Sequence, residues 1–178
     1  MPAPRSRTSG LIHQALYDDS LGLPKLPIVL DRLDQAIRAA DRDASGVTVL
    51  SVAIRADAEE PQGLDSSAAA AVATERLRKV IRQSDTLGRL GPDRFVVILP
   101  GTKLVSQASR AAGKIERALA QPVSTHGGPL RLDLNVGVAF YPRDGRDSQA
   151  LLDSADQALT ARQTRDSAAQ PRRLRLPD

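Results

Sequence analysis

Leu87-Gly88-Arg89-Leu90, then Gly91-Pro92-Asp93-Arg94, then Phe95-Val96-Val97-Ile98-Leu99 is the stretch that decides the fold. Two apolar runs flank four turn-forming residues, the pattern of a β-hairpin. Pro92 presets φ for the second position of a turn and Asp93 suits the third. A four-residue loop of this kind is built on a type I turn. The second run is almost wholly apolar, which predicts a central strand covered on both faces. The turn then carries Asp93 and Arg94 to one exposed point, where they pair with each other or with solvent.

Outward from the hairpin, the flanking segments alternate between helical and extended patterns. Downstream, Pro100-Gly101-Thr102 closes the strand, and Thr102 is placed to cap a helix over about 103–120. Residues 121–129 form a turn region with room for a short strand. A strand follows over 130–140, and a last long helix over 148–165. Upstream, 68–83 is a helix with Val72, Leu77, Val80 and Ile81 facing inward. The polar stretch 55–67, with Pro61 and Gly63, is a loop. Val47 to Ile54 is rich in β-branched residues and reads as a strand. Pro27 opens a helix to about residue 43 with Ile28, Leu30, Leu33, Ile37 and Ala40 on one face. Leu11 to Tyr17 is a short helical turn, and Met1 to Gly10 is expected to be disordered. An edge strand is possible at 173–176. Helices and strands alternate, but a hairpin interrupts them. This predicts an α+β fold, a ferredoxin-like αβ sandwich with a mixed or antiparallel central sheet flanked by helices.

The 178 residues suit one domain with tails. With no cysteine, neither a disulfide framework nor a thiolate metal site can form. The two histidines, His13 and His126, fall in a leader and a turn, which argues against a histidine-based centre. No apolar run approaches the roughly 20 residues of a membrane helix, and no signal peptide is visible. The expectation is a cytoplasmic chain without membrane contact, excised from a larger protein. Net charge is +4, so nucleic acid is a partner to weigh. Only four aromatics (Tyr17, Phe95, Phe140, Tyr141) are available for base stacking. Bases and acids are mixed along most of the chain, so no nucleic-acid partner is expected.

Arg89 to Val97 resembles the signature hairpin of GGDEF domains, the diguanylate cyclases that join two GTP molecules into cyclic di-GMP. Gly91, Pro92, Asp93, Arg94 and Phe95 stand where the family has Gly, Gly, two acidic residues and Phe. Four further stretches resemble the family in order: Gly22-Leu23-Pro24; Leu99-Pro100-Gly101-Thr102; Asn135 to Pro142; and Ala155-Asp156-Gln157-Ala158-Leu159. The resemblance implies a nucleotidyl-cyclase-like fold over 18–168, a leader with the end of an upstream helix at 1–17, and a basic tail or linker at 169–178. That tail resembles the lead into an EAL phosphodiesterase domain.

The resemblance also implies a chemistry that this chain has lost. Phosphoryl transfer needs carboxylates to hold Mg²⁺ against phosphates. The family's metal-binding Asp on the first strand falls on Ala53, and its second Asp on Arg55. Asp57 lies on the same face as Ala53 but about 13 Å along the strand. Arg94 brings a positive charge where a negative one belongs. Family positions for guanine fall on Pro61 and on Ser66 to Ala70, and those for phosphate on Ala58 and Gln163. Pro92 removes an N–H and adds a ring where a second Gly allows close approach. No catalytic residue, metal or cofactor is therefore expected.

Arg82-Gln83-Ser84-Asp85 resembles the family's Arg-x-x-Asp inhibitory site for cyclic di-GMP, at the family's spacing from Gly91. Arginine forks onto phosphate or a guanine edge, and aspartate accepts from guanine N–H groups. Arg78, Arg89 and Arg110 are further candidate cations. An arginine at a helix C-terminus followed by an Asp-Thr turn also has an ordinary structural explanation. The reading is an inactive GGDEF domain acting as a regulatory and interaction module, with an EAL domain or another signalling protein as partner. The alternatives are a cyclic di-GMP receptor through Arg82 and Asp85 and, behind it, a residual diguanylate cyclase.

Overall fold

The alternation of β-branched residues that marks the first strand places Val47 and Val49 on one face and Leu50, Val52 and Ile54 on the other, all fully or nearly buried. This is β1 (Gly46–Ala56), an inner strand of a four-stranded sheet ordered β2-β3-β1-β6. Its neighbours are β2 (Thr86–Arg89) and β3 (Arg94–Thr102), the two arms of the hairpin, and β6 (Leu132–Tyr141). The computed structural model describes residues 7–56, 66–125 and 128–169. Every strand pair is antiparallel, which resolves the choice between a mixed and an antiparallel sheet. The remaining elements are α1 (Arg7–Leu16), α2 (Leu26–Asp43), α3 (Ser66–Val80), α4 (Val105–Leu119), α5 (Ser148–Ala169) and a separate two-stranded sheet, β4 (Val123–Thr125) with β5 (Gly128–Leu130).

The order β1-α3-β2-β3-α4-β6 is the ferredoxin-like unit. Two buried clusters lie on opposite faces of the sheet. One joins Leu50, Val52, Phe95 and Val97 to α3 and α4; the other joins Val47, Val49, Val96 and Ile98 to α2 and α5. β3 is thus covered on both faces, as its unbroken apolar run implies.

Several boundaries and faces differ from expectation. α2 begins at Leu26, with Pro27 in its first turn, and buries Val29, Leu33, Ile37 and Ala40; Ile28 and Leu30 are only half-buried. On α3, Leu77 is buried and Val72, Val80 and Ile81 are half-buried against the same cluster, as expected, and Ala69, Ala70 and Ala73 are buried beside them. Small side chains let this helix lie close to the sheet, so the alanines face inward. The helix α1 already spans Arg7–Leu16, longer than the predicted turn, and Tyr17 bridges to Pro24. Thr102 does not cap α4. It ends β3, its Oγ1 donates to Leu99 O at 3.1 Å, and Gln107 Oε1 instead accepts from Lys103 N at 2.8 Å. The suggested edge strand at 173–176, the tail from 170, His126, Asp57, Ala58 and Pro61 lie outside the described residues. No helix among the described residues is long and apolar enough to cross a membrane.

Candidate functional site

The hairpin closes where the turn residues place it. Arg89 pairs with Phe95, Arg94 N donates to Gly91 O at 3.4 Å, and Leu90 N donates to Arg94 O at 2.9 Å. Pro92 is exposed and Asp93 half-buried. Arg89 braces this turn. Its Nε donates to Gly91 O at 3.1 Å, its Nη2 to Pro92 O at 2.9 Å, and its Nη1 to Asp18 Oδ2 at 3.0 Å. Burial alone would push the Asp18 carboxyl up. Hydrogen bonds from Ser20 and from Leu21 N, with the Arg89 guanidinium, outweigh it and hold the group below the usual carboxylate range.

Arg94 does not pair with Asp93 or point simply to solvent. It lies opposite Ala53 in the β1–β3 ladder. Its Nη2 donates to Asp156 Oδ1 of α5 at 2.6 Å and to Ser51 Oγ at 3.3 Å; Ser51 Oγ also donates to Asp156 Oδ1. The period of the sheet puts Ser51, Ala53 and Arg94 on one face, and α5 covers that face. Asp156 is the residue here that sequence reasoning does not single out. In the sequence it stands within a helix motif, 62 positions from Arg94.

Magnesium demands oxygen ligands in near-octahedral array. At this tip the Ala53 side chain supplies no donor, Arg94 supplies a cation bound to Asp156, and Asp93 supplies one carboxylate. Among the described residues no group of three or more His, Cys, Asp or Glu is placed to hold a metal ion. The described donors at this tip do not make such an array. A cavity of about 440 Å³ lies beside the tip, lined by Asp93, Phe95, Arg55 and the start of α3 at Ser66. Arg55 is exposed there, and Gln163 is half-buried on α5.

Arg82 and Asp85 form a second region. Asp85 Oδ2 accepts from Arg82 N at 2.7 Å, and Asp85 N donates to Arg82 O at 3.0 Å. The carboxylate therefore closes the turn that leaves α3. The Arg82 guanidinium is exposed and makes no hydrogen bond or ion pair among the described residues. Both residues line a groove of about 400 Å³ with Arg110, Lys114, Leu99 and Ile115. Arg78 lines a neighbouring groove of about 410 Å³ with Arg32 and Arg82, and its Nη2 donates to Leu21 O at 3.1 Å. Arg89 does not join either groove, because the hairpin turn holds it.

Comparison with known proteins agrees with this architecture. The sequence model of the family described as "Diguanylate cyclase, GGDEF domain" matches residues 69–168. The chain is 33% identical over 153 residues to the bifunctional diguanylate cyclase/cyclic di-GMP phosphodiesterase MucR of Pseudomonas aeruginosa, covering 84% of this chain and 22% of that protein. It is 30% identical over 159 residues to the diguanylate cyclase TpbB of the same organism, covering 87% of this chain and 37% of that one. The chain thus spans well under half the length of these relatives. Among solved structures, a sensory box/GGDEF family protein from Caulobacter crescentus superposes with a TM-score of 0.76 at 27% identity, covering 84% of this chain and 99% of that one. The GGDEF domain of TpbB superposes with a TM-score of 0.75 at 27% identity, covering 84% and 89%. On this sequence match and this antiparallel sandwich, the chain belongs to the GGDEF domain family.

Proposed function

We propose that this domain does not make cyclic di-GMP and serves as a regulatory and interaction module in cytoplasmic cyclic di-GMP signalling. One observation carries the reading: at the tip of the hairpin, opposite Ala53, a guanidinium is bound to Asp156 where phosphoryl transfer would need carboxylates around a divalent cation. A cation fixed there repels Mg²⁺ and competes for the nearest carboxylate. MucR is a bifunctional diguanylate cyclase/cyclic di-GMP phosphodiesterase, which supports an EAL phosphodiesterase domain as the neighbour of this one. The test is incubation of the purified chain with GTP and Mg²⁺, followed by chromatography of the products. The expected result is no cyclic di-GMP. Arg94→Glu alone is expected to stay inactive, since Ala53 still brings no carboxylate. Product from the unaltered chain overturns the proposal.

A second reading, a receptor for cyclic di-GMP, draws support from the unpaired Arg82 guanidinium at the mouth of a groove that also holds Arg110 and Lys114. A charge-assisted bond to a phosphate contributes about 1.5–3 kcal/mol. Calorimetric titration should then show binding that weakens at least about tenfold in Arg82→Ala. A folded chain that gives no heat with cyclic di-GMP removes this reading and leaves the first intact.

A further inference from the structure

We infer that the ion pair of Arg162 with Glu116 is a clasp that bars the outer edge of β6 from strand addition, and that without it two copies of this chain join β6 to β6. β6 stands at the end of the strand order, so among the described residues one side of it has no strand partner. A loop contact shows which backbone groups face that side. Phe140 N donates to Asp144 Oδ2 at 2.8 Å, and Phe140 O accepts from Asp144 N at 2.8 Å. Phe140 therefore turns both groups away from β1. The strand period of two carries those of Val138, Val136 and Leu134 the same way. The partner strand agrees: Ile54, opposite Leu134 in the ladder, directs its N–H to Asp93 O on the β3 side.

A row of unpaired groups is a template for another strand. Here the row is interrupted. Arg162 belongs to α5 and Glu116 to α4, helices that pack on opposite faces of the sheet. The two side chains meet at 2.7 Å, and the same Arg162 Nη1 donates to Val136 O at 3.0 Å, so the pair spans the edge. Val136 is fully buried although its strand is an outer one, while Leu134 and Val138 are half-buried. A partly exposed ion pair contributes little to stability. Its position does more, because the guanidinium occupies the central acceptor and sets a charge where an incoming strand would lie. Without the clasp, residues 134–138 offer about 17 Å of open strand. A twofold axis at Val136 places Leu134 opposite Val138 of the second copy and Val136 opposite its own counterpart. Each is an antiparallel pair that exchanges two hydrogen bonds, so the edge complements itself. Growth stops at two chains. The far edge, β2, is only four residues long, and its Arg89 N already donates to Pro24 O at 2.8 Å. This inference concerns the sheet edge and holds whether or not cyclic di-GMP is made or bound.

Backbone amide exchange followed by nuclear magnetic resonance, with sedimentation velocity on the same samples, tests it. In the unaltered chain the Leu134 and Val138 amides, which have no acceptor among the described residues, should exchange at the same rate at every protein concentration. In Arg162→Ala their exchange should slow at least about tenfold as concentration rises, together with a shift to dimer. A purely stabilising role for Arg162 would instead speed exchange on its removal. Arg162→Ala combined with Val138→Pro should be monomeric again, because proline removes an outward N–H and leaves the β1 ladder intact. Four results overturn the inference: protection of these amides in the unaltered chain, an Arg162→Ala chain that does not dimerise, a dimer in which they stay unprotected, or a folded double variant that is still a dimer. If Arg162→Ala is unfolded by circular dichroism, Arg162→Met, which keeps the apolar stem, is measured in its place.

Discussion

Phe95→Ala is expected to lower the stability of the domain by about 4 kcal/mol. Phe95 ends the signature hairpin but is fully buried and is the largest of the fully buried side chains. It pairs with Val52 on one side and Arg89 on the other, and its cluster includes Ala69, Ala73 and Leu77 of α3. The alanines of α3 cannot move into the space left by a lost ring, because their methyl groups already set the distance between helix and sheet. A cavity therefore persists, and its cost adds to the lost transfer energy. For a chain of this size the melting temperature should fall by about 10 °C. Phe95→Leu, which keeps most of the volume, should cost about 1 kcal/mol. Thermal unfolding followed by circular dichroism distinguishes the two. Equal losses would show that the ring, not its volume, matters.

Gly137→Val should cost about 3 kcal/mol for the opposite reason, too much matter rather than too little. A Cβ built on Gly137 would stand 2.0 Å from Ala155 O and 2.3 Å from Leu159 N, both backbone atoms of α5. Neither can swing aside as a side chain can, so the whole helix must lift from β6. That lift also moves Asp156, one residue beyond Ala155, away from Arg94. Gly137→Val and Asp156→Ala should therefore be non-additive: once α5 has moved, removing the carboxylate costs little more. A double-mutant cycle on thermal unfolding measures this. Additive losses would mean that α5 accommodates the valine without disturbing the tip.

Sequence patterns were most informative where the physics is local. The turn at Gly91 to Arg94 follows from proline's fixed φ and the apolar runs around it. The two faces of β1 follow from the period of a strand. On α3 the hydrophobic pattern selects Val72, Leu77 and Val80, which do pack inward, but it does not select the alanines that close packing buries beside them. Thr102 reads as a cap in sequence because a hydroxyl before a helix has two outlets. Here it bonds back within its own strand, and Gln107 serves the helix start. At the candidate site, the substitutions at Ala53 and Arg94 are visible in the sequence, but the partner of Arg94 is not. Asp156 reaches it only because α5 crosses the sheet at Gly137, a fact of tertiary packing. In the same way Asp85 is legible as an acid near Arg82, while its attachment to the backbone of the turn is not.

The bracing of the hairpin by Arg89 has a consequence for recognition at that end of the molecule. A surface loop normally samples many shapes, and a partner that selects one of them must remove the rest, at a cost of about 1–2 kcal/mol of entropy for each residue fixed. Here two carbonyls of the turn, those of Gly91 and Pro92, are already tied to one guanidinium, itself anchored to Asp18. The turn is thus ordered before anything meets it. A complex formed there would begin from a rigid template, and its affinity would reflect the contacts made rather than the freedom lost.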